Sequence, residues 1–271
     1  MTGARRIIRR SPKKKPTAAW LDFEIAFALA RHHDKVAPAL QFANAAKALQ
    51  LGFDGVGAHG GPLALPLYIK DGKAVLHMHV PKTAGTAMRA FFQRNGFREE
   101  LFDGGGPQSL NHLRRCAPQH MDAAQIMAVL RPARIDFVFM TVREPMSRLV
   151  SEYRMQARAI KNLAALPAWF MQMTREFIDN PHVAENHIRP QSDFWLPNCH
   201  IFRVEDGLGQ SLVSRMEQCT GLRLPNPEIT SHNAGDGAPV DPQDVERIRP
   251  LAEDFYRQDY LRFGYAAAPR A

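Results

Sequence analysis

Residues Lys73 to Phe92 read KAVLHMHVPKTAGTAMRAFF, and this stretch decides the fold. Its first half, residues 74–80, is an apolar run that predicts a buried strand, and residues 86–92 carry apolar side chains at helical spacing. The turn between them, Pro81–Thr86, holds one lysine, one glycine and two threonines. A helix N-terminus presents free backbone N–H groups and positive potential, so this turn predicts an anion site to which Lys82 adds a full charge.

The turn departs from a Walker A loop, because GxxxxGK(S/T) is absent and the lysine precedes the glycine. An ordinary strand-to-helix turn capped by a threonine is the alternative.

Composition places the chain among soluble globular proteins, with 271 residues, 45% apolar and 23% charged. No apolar run approaches the ~18 residues of a membrane span. The net charge of +8 is concentrated in seven basic residues between positions 5 and 15, without an acid among them. Residues 1–18 therefore read as a disordered basic tail, and we expect no specific nucleic-acid partner. A weak contact of residues 5–15 with a polyanion or membrane surface stays open.

The three cysteines, Cys116, Cys199 and Cys219, show no CxxC spacing. This usage is typical of a reducing compartment, and we expect a cytoplasmic protein without a disulfide framework or a zinc site.

Strands and helices alternate along the rest of the chain. We expect a hairpin from residues 67–70 and 73–80, further strands at 135–142 and 200–204, an irregular segment at 98–118, and a last helix broken or kinked at Pro250. Residues 19–70 read as a helical extension and loop, and residues 71–266 as the main domain. The pattern predicts an α/β fold with a central parallel sheet flanked by helices.

The strand at 135–142 leads directly into a second candidate anion site. Arg143 follows the strand, and Ser147, Ser151 and Arg154 recur at helical spacing after it. Ligands of open α/β sheets lie beyond the carboxyl ends of strands, so two such sites side by side favour a bisphosphate nucleotide. The alternative is that Arg143 pairs with Glu144 or Glu152.

Together these segments resemble a known family. HVPKTAGTA at 79–87 is similar to the 5′-phosphosulfate loop, and TVREPMSRLVSEYR at 141–154 to the 3′-phosphate motif, of sulfotransferases that use 3′-phosphoadenosine 5′-phosphosulfate (PAPS). NHIRPQSDFW at 186–195, IFRVED at 201–206 and DYLRFGY at 259–265 resemble the carbohydrate O-sulfotransferase branch, the family 2-like sulfotransferases with bacterial members. The resemblance covers about residues 73–265 and implies a P-loop NTPase-like core.

The resemblance also implies site residues. Lys82 would contact the bridging and 5′-phosphate oxygens, and Arg143 and Ser151 would bind the 3′-phosphate. The remaining donor-binding positions are Thr83, Ala84, Gly85, Thr86 and Ala87. Because the donor carries no triphosphate, no metal is expected.

The acceptor hydroxyl needs a general base, and histidine is the apt type near neutral pH. His120 resembles the family position better than His112 does, and His79 could line the pocket. Further candidates for acceptor or pocket contacts are His187, Arg189, Gln191, Ser192 and Asn233. A solvated polar loop is the alternative for residues 187–192.

The sequence thus predicts transfer of a sulfuryl group from PAPS to a hydroxyl of a carbohydrate or other acceptor, with adenosine 3′,5′-bisphosphate (PAP) as product. Two other functions stay open at this point. One is a P-loop kinase, and the other is a non-enzymatic binder of nucleotide or polyanion.

Overall fold

A computed structural model of the chain describes residues 67–100, 116–129, 135–230 and 239–266. The predicted tail 1–18, residues 19–66 of the predicted extension, and Asn233 lie outside these residues.

The described residues form a five-stranded sheet flanked by helices, in the strand order β3-β1-β2-β4-β5. The strands are β1 (Leu67–Lys70), β2 (Lys73–Met78), β3 (Arg98–Glu100), β4 (Phe137–Val142) and β5 (His200–Arg203). The helices are α1 (Gly85–Arg94), α2 (Ala123–Val129), α3 (Pro145–Ala159), α4 (Leu166–Asp179), α5 (Gly209–Thr220), α6 (Pro242–Phe255) and α7 (Arg257–Phe263). The α/β class is therefore confirmed.

The sheet is mixed rather than wholly parallel. Strands β2, β4 and β5 run parallel, whereas β1 is antiparallel to both β2 and β3. The Asp71-Gly72 turn produces the expected hairpin, because both residues adopt the positive φ of a tight hairpin turn. Since β1 belongs to the sheet, the predicted boundary at residue 70 falls inside the domain.

Two further expectations about the elements are wrong. Arg98–Glu100 was expected in an irregular segment but forms β3 on β1. Pro250 was expected to break or kink the last helix, and the break is absent, because α6 continues through Pro250 to Phe255.

Both faces of the sheet are buried, as is typical of parallel strands covered by helices. On one face, β4 contributes Val138, Met140 and Val142 to a core that includes Met121 and Phe194. On the other face, Phe137 and Phe139 pack with α1 and α5. A third core joins α3, α4 and α6 around Trp169 and Tyr256.

This architecture positions the two candidate anion sites. Strands β2 and β4 are parallel neighbours, with Met78 opposite Met140, so their carboxyl ends lie at one edge of the sheet. The turn containing Lys82 follows β2, and Arg143 follows β4. The two sites therefore lie side by side.

Candidate functional site

The turn after β2 ends in a helix N-terminus with no side-chain cap. Lys82 and Ala84 both adopt left-handed backbone conformations, with φ of 70° and 74°. For residues other than glycine this conformation costs about 1–2 kcal/mol each, and such outliers cluster at functional sites. Ala84 is the N-cap of α1 and offers no side-chain acceptor, so no side chain caps the first N–H groups of the helix.

Thr83 does not present its hydroxyl group to that helix terminus. The residue is fully buried, and its Oγ1 donates to the carbonyl oxygen of Val80 at 2.8 Å. The same oxygen lies 2.9 Å from Oγ1 of Thr141, which lies 3.2 Å from Nε2 of His77. The hydroxyl group of Thr83 is therefore used inside the protein, and donor binding by Thr83 stays a prediction that would rest on its backbone.

The donor and acceptor directions of these buried hydrogen bonds determine the tautomer of His77. Because Thr83 gives its one hydroxyl proton to Val80, Thr141 must donate to Thr83, and Thr141 then accepts from the Nε2–H of His77. Burial lowers the pKa of His77 to about 3. His77 is thus a neutral core residue.

Gly85 is required by the neighbouring imidazole ring. A Cβ atom at this position would lie 1.9 Å from Nε2 of His79, which is far inside van der Waals contact. The glycine thus lets His79 lie directly against the start of α1. Burial, together with the nearby His120 and His77, lowers the pKa of His79 well below its ordinary value.

Lys82 lies over α3 without a carboxylate partner. Its Nζ contacts the sulfur of Met155 at 3.4 Å, and within the described ranges it makes no ion pair. Partial burial lowers the pKa of Lys82; the Glu152 carboxylate opposes this effect, and the positive charges of Arg143 and Arg158 add to it. The ammonium group therefore belongs to a cluster of cations, which an anionic ligand would stabilise.

Arg143 is held by its backbone, whereas its guanidinium group makes no hydrogen bond or ion pair with the residues that the structure describes. Gln191 accepts from the Arg143 N–H at 2.9 Å and donates to the Arg143 carbonyl oxygen at 2.8 Å. Neither Glu144 nor Glu152 takes the guanidinium group. Glu144 instead accepts from the N–H groups of Met146 and Ser147, which caps α3.

That cap changes the expected character of the second anion site. The first N–H groups of α3 are already used by Glu144, whose Oε1 also accepts from the hydroxyl group of Tyr260 at 2.9 Å. A 3′-phosphate would therefore be bound by the side chains of Arg143 and Ser151 rather than by a helix N-terminus. Ser151 is partly exposed on α3, one helical turn before Met155.

Three predicted histidines meet beside this edge of the sheet. The ring centroids of His79 and His120 are 5.2 Å apart, and those of His120 and His187 are 4.7 Å apart. His120 ends a 3₁₀ turn, Pro118–His120, and its carbonyl oxygen accepts from Asn186 at 2.8 Å. Burial lowers the pKa of His120, although Glu185 opposes the shift.

Arg189 and Gln191 were expected to line the pocket, but both are used within the fold. The guanidinium group of Arg189 contacts Asp122, Asp193, Asn186 and the carbonyl oxygen of Pro181 at 3.0–3.1 Å. Gln191 is fully buried against the Arg143 backbone. These contacts use four of the five N–H donors of Arg189 and one of the two amide N–H groups of Gln191, so a pocket contact by either side chain stays a prediction.

Ser192 is anchored together with Gln191. Its N–H and that of Gln191 donate to the buried carboxylate of Asp259 at 2.7 and 2.8 Å. Residues 191 and 192 are thus anchored beside the Arg143 backbone. For Ser192, a pocket contact through its hydroxyl group stays a prediction.

Two charged residues near the site were missed from the sequence. The buried Glu152 carboxylate binds Nδ1 of His187 at 2.6 Å. The buried guanidinium group of Arg148 donates to the carbonyl oxygens of Pro81 and His187. Both residues lie in the segment 141–154 at a separation of four, so they share an inward helix face, which was the available signal.

The comparison with protein families gives one match. The model of the sulfotransferase family, in its family 2 form, matches residues 66–218, which is more than half of the chain. The chain belongs to this sulfotransferase family. The predicted membership of the family 2-like sulfotransferases is thereby confirmed, and the family is one of transferase enzymes. Comparisons with curated proteins and with solved structures found no significant match.

The described residues of this sulfotransferase show neither a metal-binding group nor a membrane-spanning helix. Within residues 67–100, 116–129, 135–230 and 239–266, no group of three or more His, Cys, Asp or Glu side chains is arranged to hold a metal ion. The helices of the same residues are too short or too polar to cross a membrane.

Proposed function

We propose that this sulfotransferase moves a sulfuryl group from PAPS to a hydroxyl of a carbohydrate or other hydroxylated acceptor, and releases PAP. The proposal is based mainly on one observation. An uncapped helix N-terminus at Gly85 lies beside two cations, Lys82 and Arg143, that make no ion pair within the described residues, at the ends of adjacent parallel strands.

The two positively charged sites match the two anionic groups of PAPS, its 5′-phosphosulfate and its 3′-phosphate. The N–H groups at the start of α1 and the Lys82 ammonium group form a site for the 5′-phosphosulfate in a P-loop-like turn. Arg143 and Ser151 form a second site for the 3′-phosphate. Arginine is suited to that task because its planar guanidinium group can bind two phosphate oxygens at once.

Catalysis of sulfuryl transfer depends mainly on positioning the donor and acceptor and on stabilising the charge that develops in the transition state. Sulfuryl transfer resembles phosphoryl transfer in having a loose, in-line transition state, so little covalent work falls to the protein. Lys82 stabilises the negative charge that grows on the leaving 5′-phosphate. The acceptor's proton is taken by a histidine of the group His79, His120 and His187, of which His120 is the one that the family resemblance indicates.

The acceptor class and the location each have a separate basis. The acceptor class comes from the resemblance to carbohydrate O-sulfotransferases. We place the reaction in the cytoplasm because Cys116, Cys199 and Cys219 are free thiols.

The test is a comparison of nucleotides by calorimetry in the absence of added metal. We expect PAP to bind far more tightly than AMP, and ATP to gain nothing from Mg²⁺. Replacing Arg143 by alanine removes charge-assisted hydrogen bonds, each worth about 1.5–3 kcal/mol, so the affinity for PAP should fall by roughly 10–100-fold.

The matched control is Arg257→Ala, because Arg257 is a surface arginine that pairs with Asp254. It should leave both affinities unchanged. Equal affinities of the unaltered protein for PAP and AMP would contradict the assignment of Arg143 and Ser151 to a 3′-phosphate.

A further inference from the structure

Glu152 is a buried carboxylate that donor binding does not explain. Its side chain is 2% exposed, and its Oε2 lies 2.6 Å from Nδ1 of His187. Its other oxygen accepts from Gln156, whose own side-chain oxygen accepts from Nε1–H of Trp169, both at 2.9 Å. Burial opposes ionisation, but the hydrogen bonds from His187 and Gln156 outweigh it, so the pKa of Glu152 lies below its ordinary value.

The carboxylate fixes which nitrogen of His187 is free. An ionised carboxylate only accepts hydrogen bonds, so Nδ1 of His187 carries the proton that it donates to Glu152. In the neutral ring, Nε2 then holds the lone pair. The side chain keeps 15% of its surface exposed and lies edge to face with His120, within the histidine group.

Arg148 fixes His187 relative to the sulfuryl-binding turn. Its Nε donates to the carbonyl oxygen of Pro81 at 3.0 Å, and its Nη2 donates to that of His187 at 2.7 Å. One rigid guanidinium group therefore connects the residue before Lys82 with the backbone of His187. The guanidinium group is itself fully buried and lies over the ring of Tyr256.

His120 lacks the corresponding support for a positive charge. Its Nδ1 is buried without a hydrogen bond from the described residues, and the nearest carboxylate oxygen, of Glu185, is 3.8 Å away. The Glu185 side chain is 53% exposed, so water screens its charge. A proton is therefore better accommodated on the ring that touches Glu152 than on His120.

We propose that His187, oriented by Glu152, is the general base that deprotonates the acceptor. This inference rests on the proposed sulfuryl transfer. Nε2 of His187 takes the proton of the acceptor hydroxyl as the acceptor oxygen forms its bond to sulfur. The bond from sulfur to the bridging oxygen breaks, its electron pair stays on the 5′-phosphate beside Lys82, and the His187 imidazolium is left paired with the Glu152 carboxylate.

The proposal has a signature in the pH dependence. A general base acts only in its unprotonated form, so the rate should show an acidic limb, which is a fall in rate at low pH. The charged and titratable groups around His187 are Glu152, Glu185, His79, His120, Lys82 and Arg148. Of these, Glu152 alone contacts the ring with a carboxylate, so Glu152→Gln should lower the rate and move the acidic limb to lower pH.

The experiment uses the full chain and ³⁵S-labelled PAPS, with water as the acceptor and sulfate release followed in single turnover from pH 5 to 9. His187→Gln keeps a side-chain N–H for Glu152 and avoids an orphaned carboxylate. It should lower the rate by about 10²–10⁴-fold and abolish the acidic limb. Its affinity for PAP and its melting temperature should stay near those of the unaltered protein.

Two further variants complete the design. His120→Gln should keep the acidic limb. His200→Gln, on edge strand β5, removes a histidine outside the group and should change nothing.

Loss of the limb in His120→Gln, with a near-normal rate in His187→Gln, would overturn the proposal and leave sulfuryl transfer standing. If the unaltered protein binds PAP but releases no sulfate at any pH, that result would also contradict the proposal that His187 is a general base. Failure to bind PAP at all would instead refute the proposed function.

Discussion

Gln191→Leu tests whether the loop 187–192 supports Arg143. The leucine side chain has a similar volume but removes two hydrogen bonds, the one at 2.9 Å from the Arg143 N–H and the one at 2.8 Å to the Arg143 carbonyl oxygen. The Asp259 carboxylate, which holds the N–H groups of residues 191 and 192, is untouched. The variant therefore removes the two side-chain hydrogen bonds to Arg143, here called the clamp, and keeps the two hydrogen bonds that Asp259 makes to the loop backbone.

The expected magnitude follows from those two bonds. Each contributes about 0.5–1.5 kcal/mol net, and a buried polar group left without a partner costs about 1–3 kcal/mol. We expect a loss of roughly 3 kcal/mol in the free energy of unfolding. For a domain of this size that corresponds to a fall of about 6–12 °C in melting temperature.

The same change should act on nucleotide selectivity. An Arg143 released from its clamp orients its guanidinium group less well, so the affinity for PAP should fall by up to about 100-fold. The affinity for AMP should change little, because AMP lacks the 3′-phosphate. Thermal unfolding and calorimetry with both nucleotides measure the two effects.

The control is Gln172→Leu on α4, where the exposed amide group donates a hydrogen bond to Glu176. An exposed substitution of this kind is expected to cost less than about 0.5 kcal/mol. If Gln191→Leu behaves like this control in both stability and the ratio of PAP to AMP affinity, the clamp has no role in either.

Three other changes have defined outcomes. Lys82→Ala should weaken PAP binding in calorimetry and also slow sulfate release, because Lys82 meets the donor before and during bond breaking; a loss confined to either measurement would contradict this role. Gly85→Ala should weaken PAP binding and cost about 1–3 kcal/mol of stability in thermal unfolding, because its methyl group overlaps His79, and the added change His79→Ala should restore both. Deleting residues 1–15 should leave cooperative unfolding and PAP affinity intact, and loss of cooperativity would show that the tail is structural.

The main strands and the position of the donor site were predictable from local sequence. Apolar runs marked β2, β4 and β5, and the parallel order placed Lys82 and Arg143 at one edge. Strand β3 was not predictable in this way, because its sequence, Arg-Glu-Glu, has no apolar alternation. It forms through pairing with β1, which is a tertiary effect.

The polar residues of the loop 187–192 show why site assignments fail from sequence. Arg189 and Gln191 have the side chains of ligand-binding residues, but each also has a partner far away in the sequence, which for Arg189 is Asp122. Gln191 finds the Arg143 backbone 48 positions away, and His187 finds Glu152 across 35 positions. No local pattern shows whether a polar side chain is already satisfied by such distant groups, so only the fold separates support residues from those left for a ligand.

Acid should destabilise this protein before its carboxylates titrate, and His77 provides a measurable part of the effect. The imidazole ring of His77 is 1% exposed, stacks on Phe139 with ring centroids 4.6 Å apart, and donates to Thr141. Its pKa is lowered by burial from 6.5 to about 3, so the folded chain keeps it neutral where the unfolded chain binds a proton. Stability from His77 is complete above pH 6.5 and is lost as the pH falls towards 3, at up to about 1.4 kcal/mol per pH unit.

The window between pH 6 and 5 isolates this histidine effect, because most carboxyl groups are still ionised there. His77→Gln keeps a donor for Thr141 but cannot be protonated, so its unfolding free energy should fall less steeply by about 1.4 kcal/mol per pH unit, or roughly 3–6 °C in melting temperature. His200→Gln removes a partly exposed histidine on β5 and should flatten the curve less. Parallel curves for His77→Gln and the unaltered protein would show that His77 is not kept neutral by the fold. The steepness left in His77→Gln then measures the remaining buried rings, since burial also lowers the pKa of His79 and of His120.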